Sequence, residues 1–231
     1  MYFRTSIKLT LLLLALALLF ARLGWWQLER QTEKQALFEQ FDNAPVMSIR
    51  QALDRAEKFA RVEAYGHYDP ARHVLLDNKI LNGRAGVHVL TPFTLGDGTQ
   101  ILVNRGWLPL PPDRRSLPEV DTDDSMRTIN GILNKPSSGG PRIGEPDVLV
   151  MDRWPQLVTY LDLDTVGAAL NTSLEPWLLQ LEAEDESGFE GRQWQAAVME
   201  PKVHGAYALQ WFSLAAAAFI IWIVLGVRKR K

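Results

Sequence analysis

The chain has no cysteine among its 231 residues. That absence excludes disulfides, thiolate zinc sites, haem attachment through C-x-x-C-H and thiol redox chemistry. It also removes the soft ligands of a thiol-based copper carrier. Methionine does not fill the gap, because Met1, Met47, Met126, Met151 and Met199 form no cluster, so the protein is not expected to carry copper by itself. Histidine is scarce, with four residues: His67, His73, His88 and His204. Neither sign of charge dominates: 25 basic and 27 acidic residues leave a net charge of −2, which gives no footprint for nucleic acid. There is no G-x-S-x-G, no P-loop and no H-E-x-x-H. A membrane-tethered hydrolase is disfavoured by the lack of any nucleophile motif. No internal repeat is present.

What the chain does have is two long apolar runs at its ends. From Ala206 to Val227 no residue is charged, and Arg228, Lys229, Arg230 and Lys231 follow. A helix over that run is about 33 Å long, enough to cross a hydrocarbon core of about 30 Å. The four cations place its far end in the cytoplasm. The first run, Leu9 to Leu28, follows Arg4 and Lys8 and ends at Trp25 and Trp26, with Arg22 able to snorkel outward. A cleaved signal peptide is the competing reading, and the apolar residues beyond Arg22 argue against it. Two spans put both ends on one side. The expected layout is a cytoplasmic N-terminus at 1–8, a first span at 9–28, an outer domain at 29–205, a second span at 206–227 and a basic tail at 228–231. The eight residues before the first span leave no room for a mitochondrial presequence, so the expected home is a bacterial inner membrane, with the main domain periplasmic.

Between the spans the period changes. Glu29 to Phe41 continues the first helix, and Asn43-Ala44-Pro45 breaks it. Ser48 to Gln51 is a capping box, and Ser48 to Ala60 has helical spacing. Strands are expected at Arg61–Tyr68, His73–Asn78, Gly86–Phe93, Gln100–Leu108, Met126–Asn134, Leu157–Leu161, Trp177–Glu182 and Gln193–Met199. Asn82-Gly83 and Gly96-Asp97-Gly98 mark tight turns, and Asp164–Leu170 reads as a short helix. Pro109, Pro111, Pro112 and Pro118 stiffen one loop, and Pro136 to Pro146 forms another. The fold class is α+β: two transmembrane helices flank an antiparallel β-rich domain, a sandwich or open barrel, with a few short helices.

Chemistry is sparse and concentrated at the mouths of the spans. His204, Tyr207 and Trp211 fall at i, i+3 and i+7, so a helix places them on one stripe. Gln210 and Gln27 are amides at membrane depth, where a polar group needs a partner on a neighbouring helix or a ligand. They are expected to pair with each other, with Trp26 and Arg30 nearby. An aromatic interface belt with a solvated histidine explains Tyr207, Trp211 and His204 equally well. Arg105, in Asn104-Arg105-Gly106-Trp107, is either a clamp for a carboxylate or an edge-capping arginine beside a packed tryptophan. His67, His73 and His88 read as strand or surface histidines.

Four blocks carry a family resemblance. Leu23-Gly24-Trp25-Trp26-Gln27-Leu28-Glu29-Arg30 resembles the L-G-x-W-Q-x-x-R signature of the surfeit-locus-one (Surf-type) family. Gly66-His67-Tyr68-Asp69-Pro70 resembles its G-x-Y-D-P turn. Val103-Asn104-Arg105-Gly106-Trp107-Leu108-Pro109 resembles V-N-R-G-W-x-P, and His204 to Phe212 resembles H-x-x-Y-A-x-Q-W-F. The blocks occur in order and cover nearly the whole chain. The resemblance implies an assembly factor for haem-copper cytochrome c oxidase that assists insertion of haem a into the catalytic subunit. The residue matching His204 is then the expected ligand of the haem iron. Tyr207, Gln210, Trp211, Gln27, Arg30 and Arg105 are its expected surroundings. The implied partners are the catalytic subunit, other oxidase assembly factors and the membrane. No catalysed reaction is implied. A ligand-free scaffold for oxidase intermediates is the alternative.

Overall fold

Ser6 caps a helix that does not stop until Asp42. The Ser6 hydroxyl accepts from the Leu9 amide, and α1 (Ile7–Asp42) runs for 36 residues before Asn43 closes it. At 1.5 Å per residue this is about 54 Å of continuous helix. The computed structural model describes residues 2–3, 6–111, 116–136 and 147–228. Residues 112–115 of the expected proline-rich loop, the Pro136–Pro146 loop beyond Pro136, and Lys229, Arg230 and Lys231 lie outside the described residues. The chain divides into two units, Met1–Asn43 with Gln195–Lys231, and Ala44–Trp194. Residues 29–43 and 195–205 thus belong with the helices, and the β-rich unit is shorter than 29–205.

The helical unit is an antiparallel pair. Its second helix spans Pro201–Gly226, with Pro201 in the first turn, where the missing N–H does no harm. Both long helices are long and apolar enough to cross a membrane. At their far ends the short strands β1 (Tyr2–Phe3) and Val227–Arg228 pair antiparallel, so the two chain ends lie together. Along the seam, Phe20 stacks on Trp211 with ring centroids 5.7 Å apart. A Cβ added to Gly24 would meet the ring of Phe212 at 2.9 Å.

The other unit is a barrel. Its elements are β2 (Val46–Ser48), α2 (Ile49–Asp54), β3 (Arg61–Tyr68), β4 (Val74–Leu81), β5 (Arg84–Leu95), β6 (Gln100–Pro109), β7 (Arg127–Asn134), β8 (Gln156–Val158), α3 (Leu163–Leu170) and β9 (Leu174–Leu181). The C-terminal helix is therefore α4, and Val227–Arg228 is β10. Strands β3, β7, β9, β6 and β5 are neighbours in that order, and three pairs between β3 and β5, Gly66↔Leu95, His67↔Thr94 and Tyr68↔Phe93, close the ring. Numbered within the barrel, the ring order is 1-2-3-5-4 with the third and fifth strands parallel. This is the connectivity of OB-type Greek-key barrels. The likeness is one of topology and assigns no function.

Each half of β3 has a different outer neighbour. Arg61–Glu63 pair with β2, and Gly66–Tyr68 pair with β5. Inward residues alternate along β3, where Val62, Ala64 and Tyr68 are buried with Phe93, Ile101, Val103, Ile129, Leu179 and Leu181. Ile49 and Ala52 of α2 join this core. Val166 and Leu170 of α3 join a second cluster, with Val74, Leu90, Leu102 and Leu178. β6 is consequently buried on both faces.

Several expectations shift in physically clear ways. The sheet is a closed barrel rather than an open one. It is also mixed, because β2–β3, β4–β8 and β6–β9 run parallel. α2 ends at Asp54 rather than Ala60. Ala56 and Phe59 turn the chain with φ of 52° and 68°, and the Phe59 amide donates to the Leu133 carbonyl at 2.7 Å. The apparent helical spacing to Ala60 therefore marks core contacts of a loop. The capping box itself is present. Asn82-Gly83 is the expected turn, with φ of 49° and 75°. Gln193–Met199 forms no strand. The ring strands already have two neighbours each, and the segment is tied instead by the Trp194 indole, which donates to the Leu181 carbonyl at 2.7 Å.

Candidate functional site

The polar centre of the helical unit is one hydrogen bond. His204 Nδ1 lies 2.9 Å from Gln27 Oε1. An amide oxygen only accepts, so this contact is a hydrogen bond in the tautomer that carries its proton on Nδ1 and leaves the lone pair on Nε2. That Nε2 is buried and has no hydrogen-bond partner. The register is held on both sides of the contact. Gln31, one turn beyond Gln27, abuts Gly205, and Gly24 lies under Phe212. Phe20, Gly24, Gln27 and Gln31 recur at seam spacing, so the helix pairing delivers Gln27 to the histidine.

The expected stripe on α4 divides. Ala208 is buried and Trp211 packs on Phe20, so these residues share the seam with His204. Tyr207 is 46% exposed, and Gln210 is exposed on another face. Gln27 is therefore bonded to His204, and the anticipated Gln27–Gln210 pair does not form. Trp26 is also exposed. Arg30 donates through Nη2 to Glu33 at 2.9 Å, while its Nε is buried without a partner. Among the described residues of this unit, two buried side-chain nitrogens are thus unsatisfied, at His204 and Arg30. A buried polar atom without a partner is costly and calls for an explanation.

Arg105 belongs to the barrel unit and is 4% exposed. Its guanidinium lies between the Tyr68 and Phe189 rings, 4.7 and 4.8 Å from their centroids. Nε donates to the Ser187 carbonyl at 2.8 Å, and Nη1 to the Thr122 hydroxyl. Burial pulls Arg105 below the usual arginine range, and the nearby charges of Asp185 and Asp121 oppose that. Burial likewise pushes the Tyr68 hydroxyl up to about 12, against its hydrogen bond with Ser187 at 3.1 Å. The next residue is a bulge: Gly106 has φ of 108°, and a Cβ there would meet the Glu190 carbonyl at 2.6 Å. Only glycine lets the 187–190 segment lie against β6, where Phe189 N–H donates to Arg105 O and Trp107 N–H to Glu190 O. Two of the motif blocks therefore meet here, as a lock on one segment of the barrel.

Of the other histidines, His73 is buried, and His67 and His88 are half-buried. His73 bridges the Pro70 carbonyl at 3.2 Å and the Thr91 hydroxyl at 3.1 Å, and burial lowers its basicity. His88 contacts Asn104 at 3.2 Å, and burial, then Lys79, pushes it down to about 4. A cleft of about 330 Å³ beside His67 is lined by Asp69, Arg72, Thr94, Gln100 and Asp124. Its cation is engaged: Arg72 Nε pairs with Asp69 at 2.5 Å and Nη1 with the Leu170 carbonyl. Among the described residues no three His, Asp or Glu side chains gather as a metal site.

The sequence reading did not anticipate Gln31, Phe20, Thr122, Ser187 or Phe189. The signal for Gln31 is present, as a second amide four residues after Gln27 on the same face.

Comparison with known proteins gives one answer throughout. A SURF1-like protein of Monosiga brevicollis is 29% identical over 226 residues, covering 88% of this chain and 82% of the relative. One from Rickettsia felis is 25% identical, covering 94% and 96%. Surfeit locus protein 1 of Xenopus tropicalis is 25% identical, covering 97% and 77%. The model of the SURF1 family matches residues 14–216, most of the chain, and the protein belongs to the SURF1 family.

Proposed function

We propose that the protein is a membrane assembly factor for haem-copper cytochrome c oxidase, and that it holds haem a as cargo for the catalytic subunit. It has no catalytic task in this reading. The observation that carries it is the buried Nε2 of His204, which has no hydrogen-bond partner while Nδ1 lies against Gln27 Oε1. Haem iron takes an axial nitrogen donor, and an imidazole whose other nitrogen donates to an oxygen is the usual metal-ligating arrangement. Trp211 and Tyr207 supply aromatic surface on the same stretch of α4. Arg30 supplies a cation, with one N–H unsatisfied, for a propionate. Arg105, already engaged by Ser187 and Thr122, is left to the barrel.

The test is His204→Ala in cells that make haem a. Haem co-purifying with the detergent-solubilised protein should fall at least about tenfold while membrane insertion is unchanged. Full haem content with an unaltered Soret band would place the ligand elsewhere. Oxidase assembly supported by a wild-type protein that never retains haem would favour the scaffold reading.

The same reading places the protein in a bacterial inner membrane, with the barrel unit periplasmic. Its support is the antiparallel helix pair with adjoining ends and the basic residues after Val227. A periplasm-dependent reporter should be active when inserted near Ser138 and silent when fused after Lys231. The opposite pattern rejects this orientation.

A further inference from the structure

We infer that Gln27 is a positioning residue: through its side-chain oxygen it holds His204 as the Nδ1–H tautomer, so that Nε2 presents its lone pair to a metal centre. The inference rests on the proposed role of His204 as an iron ligand, but its central claim concerns the free protein.

The contact is specific. The His204 Nδ1 to Gln27 Oε1 distance is 2.9 Å, a normal hydrogen bond. It joins residues 177 apart in sequence, on different helices. In a free imidazole the proton is shared between two tautomers, and only one leaves Nε2 able to donate electrons. The seam contacts at Gly24–Phe212 and Gln31–Gly205 flank Gln27 on either side and fix its reach.

The identity of the acceptor also matters. A carboxylate at this position would accept the Nδ1 proton more strongly and make the imidazole a better donor to iron. A neutral amide orients the ring without that added basicity. Moderate ligand strength suits a protein that must release its cargo. Gln27 thus selects the tautomer and limits the grip.

The full-length protein, labelled with ¹⁵N at histidine ring nitrogens and reconstituted in lipid, tests this without any haem. The His204 signals are identified by their loss in His204→Ala. In the wild type, Nδ1 should resonate as protonated and Nε2 as unprotonated. In Gln27→Leu the two nitrogens should show mixed or exchanging protonation. In a parallel titration with hemin, Gln27→Leu should weaken binding about tenfold or more. Gln27→Glu should restore or exceed wild-type affinity and lower the midpoint potential of bound iron, which a merely structural role for Gln27 would not produce. A wild-type His204 protonated on Nε2, or the Nδ1–H tautomer persisting unchanged in Gln27→Leu, overturns the inference. If the tautomer responds as stated yet His204→Ala binds hemin normally, the cargo reading falls and control of the ring by Gln27 stands.

Discussion

Gly66→Ala should destabilise the barrel by roughly 3–5 kcal/mol, a large part of the stability of an ordinary domain. Gly66 pairs with Arg127 on one side and Leu95 on the other, where β3 leaves its outer neighbour β2 and joins β5. A Cβ here would sit 2.1 Å from the Thr94 carbonyl oxygen and 2.8 Å from the Phe93 ring. The obstructing atom is backbone and cannot rotate away. Relief requires separating β3 from β5, which opens the ring. Gly96→Ala is the matched control, because its added Cβ meets the Tyr65 ring at 3.6 Å and the Tyr65 carbonyl oxygen at 3.8 Å, both ordinary contacts. Urea unfolding of both variants, followed by tryptophan fluorescence in detergent, makes the comparison. Equal midpoints would show that the β3–β5 closure tolerates a side chain.

Arg105→Met should lower stability by about 2–4 kcal/mol and loosen the 185–192 segment. Met keeps much of the stem but removes the group held between Tyr68 and Phe189. It also leaves the Ser187 carbonyl and the Thr122 hydroxyl without their donor. Hydrogen exchange should accelerate at the Phe189 and Trp107 amides, which cross between β6 and that segment. Haem retention per folded molecule should be unaltered. A variant with wild-type stability and diminished haem would make Arg105 a ligand clamp instead.

These two sites show where sequence reading stops. The G-x-Y-D-P and V-N-R-G-W blocks stand out as residue patterns, but what Arg105 does depends on partners 17 and 82 residues away. No local spacing reports that. Strand positions from β3 to β7 were legible because alternation and turn residues such as Asn82-Gly83 are local. Ring closure was not, since it depends on which half of β3 meets which neighbour. β2, with three residues, is too short to show a period. At the span mouths, the histidine and the amides were legible as polar groups needing partners. Their pairing was not, because depth along a sequence does not give rotation about a helix: His204 faces the seam, and Gln210 does not.

The way the sheet terminates limits how partners can be recognised. Among the described strands, the eight-stranded order ends in β2 on one side and β8 on the other, each three residues long. A protein that docks by adding a strand needs a longer row of unpaired amides and carbonyls. Among the described strands the barrel offers almost no such row to a different chain or to another copy of itself.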